Sequence, residues 1–98
     1  MVNPESTVER GKENNMRLRT TDISARTIGG ETIVLDLPNS QYFAITGVGS
    51  RVFELLGEER SLDDLVAAIT TEFDVDEPIA RRDVELFVDR LRQAQLLA

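Results

Sequence analysis

Gln41-Tyr42-Phe43-Ala44-Ile45-Thr46-Gly47-Val48-Gly49 reads as a short strand that passes straight into a helix. Residues 41–45 carry aromatic and β-branched side chains, which suit a pleated, half-buried surface. Thr46 is the expected cap of the helix, its hydroxyl accepting from an orphan backbone N–H. Val48, Val52, Phe53, Leu55 and Leu56 then recur at helical spacing. Working backwards, residues 31–37 form a strand with Ile33, Leu35 and Leu37 on one face and Thr32, Val34 and Asp36 on the other. Residues 23–28 are a weaker strand. Gly29-Gly30 between the two signals a two-residue hairpin, because both positions tolerate positive φ. Pro38-Asn39-Ser40 signals the second turn. Sequential antiparallel strands normally pair as neighbours. The result is a three-stranded meander whose last strand keeps one edge free.

Working forwards, the first helix spans about residues 47–56 and Gly57 ends it. Ser61 starts the second helix, and Asp64 three positions on resembles a capping box with a shorter acid. Leu62, Leu65, Val66, Ile69 and Phe73 give that helix one apolar face. Residues 74–77 are a linker, and Pro78 sits in the first turn of the third helix. This helix ends near Leu96-Leu97. Ala80, Val84, Phe87, Leu91 and Ala94 form its main stripe; Val88 widens one flank, and Ile79 and Leu86 lie on the other. So wide a stripe fits two arrangements. It covers both the sheet and the first two helices, or it touches the core and also walls a groove.

The chain has 98 residues and a formal charge of −7, with no histidine and no cysteine. That length is one small domain with a modest core. The missing residue types remove the common zinc and iron–sulfur ligand sets and the Cys–His and Ser–His–Asp mechanisms. No credible acid–base or nucleophile set remains, so the expectation is a non-enzyme with no cofactor and no metal. Residues 1–15 are polar and lack periodicity, and read as a disordered tail ahead of a domain over residues 16–98. Within the transition that follows, Leu18 is the residue expected to dock. The start of the chain lacks the apolar run of a signal peptide, and no stretch is long enough to cross a bilayer. A cytoplasmic protein without a membrane partner is expected.

Three motifs fail on spacing or context. Gly47-Val48-Gly49 follows a strand and opens a helix, but Val52 stands where a dinucleotide fingerprint needs its third glycine. Asp74, Asp76 and Glu85 fit three positions of a calcium loop, while Pro78 and Ile79 occupy the positions that shape it. Arg81, Arg82, Arg90 and Arg92 are interleaved with Asp83, Glu85 and Asp89, as on a solvated face laced with ion pairs rather than a DNA-reading helix. Adjacent Tyr42 and Phe43 must point to opposite faces of their strand.

The ordered series I-V-L-D-x-x-x-x-x-Y-F-x-I-x-x-x-G (residues 33–49), V-F-E-L-L (52–56), S-L-D-D-L-V (61–66), D-V-E-L-F-V (83–88) and L-R-Q-A-Q-L-L (91–97) resembles the PqqD-like proteins. The resemblance implies an α+β fold of three antiparallel strands and three helices, of winged helix-turn-helix type. It implies a recognition element for the leaders of ribosomally made, modified peptides, most like the stand-alone form of lasso-peptide pathways. The leader would add as a strand to the third strand, beside the third helix. The implied leader-binding residues are Gln41, Tyr42, Phe43, Ala44 and Ile45 on the strand and Val84, Phe87, Val88 and Leu91 on the helix. The implied partners are the precursor leader, a leader peptidase and a cyclase. Two departures stand out: Asn39-Ser40 where the family often has glycine in the second turn, and Gln95 where it often has glycine before the final Leu-Leu. The residues alone lead to the same mode, since an exposed sheet edge offers unpaired N–H and C=O groups to a partner strand.

Two rivals share the fold. One is a winged-helix DNA-binding regulator; residues 58–98 hold five basic and eleven acidic groups, a poor match to phosphate backbones. The other is a small subunit that only stabilises an enzyme.

Overall fold

The computed structural model describes residues 15–98, so the tail assigned to residues 1–15 lies outside it except for its last residue. Asn15 is already in a strand. β1 (Asn15–Met16) pairs antiparallel with β5 (Arg60–Ser61). Two residues per strand are too few for any sequence pattern, which is why neither was anticipated.

The meander is as expected. β2 (Ile23–Ile28), β3 (Glu31–Asp36) and β4 (Gln41–Thr46) form one antiparallel sheet in the order β2-β3-β4. Gly29 and Gly30 hold φ of 59° and 83°, a tight turn that L side chains would strain. In the second turn the positive φ, 51°, belongs to Ser40 rather than to its neighbour. Asn39 instead uses its amide to donate to Asp36 Oδ2 at 2.9 Å.

Three helices follow: α1 (Val48–Leu55), α2 (Leu62–Glu72) and α3 (Glu77–Gln93). The expected cap of α1 is a correction. Thr46 remains in β4, and the capping position is Gly47 at φ 64° with no side-chain cap bond. The strand runs one residue longer than expected, and a left-handed glycine turns the chain. The α2 start matches its reading. Ser61 accepts from the Asp64 backbone N–H, and Asp64 accepts from the Ser61 backbone N–H. α3 stops at Gln93 and closes with a full left-handed cap. Gln95 at φ 62° donates to the Arg92 carbonyl, and Leu96 donates to the Leu91 carbonyl. Gln95 therefore sits where glycine fits best.

The core is mainly helical. Val52, Phe53 and Leu56 of the α1 segment, Leu65, Val66 and Ile69 of α2, and Ala80, Val84, Val88 and Leu91 of α3 are buried together with Leu96 and Val34. The sheet turns Thr32, Val34 and Asp36 inward and leaves Leu35 and Ile28 exposed. Two polar side chains on the inner face are acceptable because each is satisfied. Thr32 Oγ1 bonds the hydroxyls of Ser50 and Thr27 at 2.6 and 2.7 Å. Asp36 meets Arg19 at 2.6 Å. Leu18 docks as expected, donating its N–H to the Leu56 carbonyl and bridging Leu97. No described helix is long and apolar enough to cross a membrane.

Candidate functional site

The hairpin register decides what the sheet offers at its edge. A two-residue hairpin closes on a pair that exchanges both backbone bonds, here Ile28 with Glu31. Bonded and non-bonded pairs alternate along an antiparallel ladder. Residues 31, 33 and 35 of β3 therefore bond β2, and Thr32, Val34 and Asp36 bond β4. Their partners in β4 are Ile45, Phe43 and Gln41. The backbone groups of Tyr42, Ala44 and Thr46 are left pointing away from the sheet. Among the described residues no strand meets them, since β4 is the end of the sheet order.

Beside this edge lies a groove of about 840 Å³. Tyr42, Phe43, Ala44, Ile45 and Thr46 line one side, and Phe87 and Leu91 of α3 with Ala94 at its C-cap line the other. Tyr42 and Phe43 point apart, as expected: Tyr42 is 64% exposed, while Phe43 packs against the core. Val48 and Gly49 border the end near Thr46. A Cβ on Gly49 would lie 3.0 Å from both Ile45 Cγ2 and Phe87 Cε1, so this glycine lets α1 close on β4 and α3 together.

At the opposite end Gln41 spans the two walls. Its Nε2 donates to Asp36 Oδ2 at 3.2 Å and to the Ala94 carbonyl at 3.4 Å. Arg19 reinforces the joint, donating to the Gln95 carbonyl at 2.7 Å while holding Asp36. The Asn39 amide, and with it the Arg19 guanidinium and the Gln41 amide, keeps the Asp36 carboxyl below the usual aspartate range against the opposing effect of burial. α3 thus runs antiparallel to β4, with Phe87 near Ile45 and Ala94 near Gln41.

Six of the nine residues singled out from sequence line the groove: Tyr42, Phe43, Ala44, Ile45, Phe87 and Leu91. Gln41 braces it from one end. Val84 and Val88 do not line it. They are 0% and 4% exposed and belong to the core, which corrects the placing of Val88 on a groove wall. α3 faces the core through Ala80, Val84, Val88 and Leu91, and faces the groove through its other flank, where Asp83, Phe87, Arg90 and Ala94 recur. Of the two arrangements open to the wide stripe, the second is realised: one side of it meets the core and the other walls the groove. Reading only apolar residues pointed to the wrong flank, because the groove side is half polar. Thr46 was missed because β4 runs one residue past Ile45, and Val48, Gly49 and Leu96 because their place depends on how α1 and the chain end fold back.

The arrangement can take up an extended peptide. It holds outward backbone donors and acceptors at strand spacing, and an apolar trough beside them for alternate side chains.

The family model described as Coenzyme PQQ synthesis protein D (PqqD) matches residues 31–97. Two solved structures share the fold. One, TbiB1 in complex with the TbiA(beta) leader peptide, is 33% identical with a TM-score of 0.75, over 84% of this chain and 94% of that one. The other, a lasso peptide synthetase B1 complexed with the leader peptide, is 23% identical with a TM-score of 0.73, over 85% of this chain and 96% of that one. No curated protein matches the chain.

Proposed function

This chain belongs to the PqqD family, and from that premise we propose that it binds the leader of a ribosomally made precursor peptide as a fourth strand on β4, walled by α3. The observation that carries the reading is the alignment of two features along one edge: the outward backbone groups of Tyr42 and Ala44, and the trough lined by Phe43, Ile45, Phe87 and Leu91. Main-chain bonds supply affinity and the trough supplies selection. The 33% identity to TbiB1, a protein solved with a leader peptide, supports the class of ligand.

The chain acts as a binding partner and not as a catalyst. It presents the leader to a leader peptidase and a cyclase in lasso-peptide biosynthesis. Strand addition suits presentation, because it fixes the leader while the rest of the precursor extends beyond the groove.

The test is calorimetric titration with the leader of the precursor peptide from the same pathway. Saturable binding of one leader per chain is expected, and addition of the chain should speed leader cleavage by the peptidase of the same pathway. Absence of binding to that leader would overturn the reading. Binding without any effect on cleavage would confine the chain's role to capture.

A further inference from the structure

The groove is not electrically uniform along its length. Asp83 and Arg90 are its two charged lining residues, both on α3 and both exposed. The neighbouring arginines are engaged: Arg81 with Glu77 and Asp63 at 2.8 and 3.0 Å, and Arg92 with Asp89 at 3.1 Å. Arg90 makes no ion pair among the described residues, and Asp83 has only a 4.0 Å approach to Arg82. Because α3 runs antiparallel to β4, Asp83 lies toward the Thr46 end and Arg90 toward the Gln41 end.

We propose that these two charges read the direction and charge order of the bound leader: the occupant carries a basic side chain opposite Asp83 and an acidic one opposite Arg90. This rests on leader binding at β4. An added strand antiparallel to β4, the slightly more stable pairing, runs from the Thr46 end to the Gln41 end. Its basic residue therefore precedes its acidic one. Seven helical residues span about 10.5 Å at about 1.5 Å each. A strand covers that in about three residues at about 3.4 Å each. Side chains facing one side recur every second residue, so the two charges fall about two or four positions apart. A leader of opposite order meets like charges at both ends, which disfavours the wrong direction more than it strengthens the right one.

The experiment is selection of a phage-displayed random peptide library on the full chain, on Asp83→Arg with Arg90→Asp, and on a control, Asp89→Arg with Arg92→Asp, whose exchanged residues lie outside the groove. All three should melt alike, since every exchanged side chain is exposed. The native chain and the control should enrich strand-forming peptides with a base before an acid. The groove-exchanged chain should enrich the reverse order, and should bind native-selected peptides about three- to ten-fold more weakly. Peptides with no charge order, or the same order on all three chains, overturn this inference and leave leader binding at β4 standing. An acid-before-base order on the native chain overturns it as well, through the direction of the strand. Selected peptides whose affinity is unmoved by Ala44→Pro overturn leader binding at β4 and this inference with it.

Discussion

Gln95 holds φ 62° at the end of α3, a conformation costing an L-residue roughly 1–2 kcal/mol that glycine avoids at some expense in chain entropy. Gln95→Gly should therefore stabilise the domain by about 0.5–1 kcal/mol in denaturant titration, since the Arg19 contact uses only the Gln95 backbone carbonyl. Asp36 offers the complementary test. Asn39, Arg19 and Gln41 depress its folded pKa, so the stabilisation it provides is complete above the unfolded value of about 3.9 and is lost as pH falls through the lower folded value. Asp36→Asn should lower Tm at neutral pH, and the gap to the native chain should narrow only below about pH 3.9. A gap that closes between about pH 5 and 7 would point to another group. At this scale the sequence spoke unevenly. The Ser61–Asp64 box and the paired glycines of the first turn were legible, since each is a local rule. The roles of Asn39, Ser40 and Arg19 were not, because they depend on an aspartate that points inward only once the sheet is assembled.

β4 bonds β3 through Gln41, Phe43 and Ile45, and leaves Tyr42, Ala44 and Thr46 facing out. Proline removes one backbone donor, so its effect depends on which set it enters. Phe43→Pro should destabilise the domain by about 3 kcal/mol or more, losing a ladder bond and a packed ring. Ala44→Pro should leave stability within about 1 kcal/mol of native and weaken leader affinity about tenfold, the worth of one lost bond and a poorer fit. Tm and calorimetric affinity on both variants check this; equal loss of stability would mean that the register is wrong. For α3, Val88→Asp places a charge in the core and should unfold the chain rather than probe the groove. The three strands of the meander and the three helices were legible in order from apolar periodicity and turn signals, whereas the two-residue β1 and β5 carry no such pattern. Which flank of α3 meets the groove was not, because both flanks of the stripe carry apolar residues and only packing separates Phe87 from Val88.

The whole molecule places its acidity on the helical half that follows the sheet, which bears on the rival regulator. Duplex DNA titrated at low and then higher salt should show no tight, salt-sensitive binding; a steep salt dependence would promote the regulator. The architecture followed from the sequence because a meander with a short hairpin has few ways to receive three amphipathic helices. The groove did not, since it is a gap between β4 and α3 that exists only after both have packed on a common core. Its central property, a free backbone edge, can be observed directly by residue-resolved amide hydrogen exchange in the absence and presence of saturating precursor leader. Phe43 and Ile45 should be protected in both states. Tyr42 and Ala44 should exchange rapidly when free and slow by about tenfold or more when the leader is bound, as each outward N–H gains a partner. Rapid exchange at Tyr42 and Ala44 with the leader bound would contradict strand addition at β4.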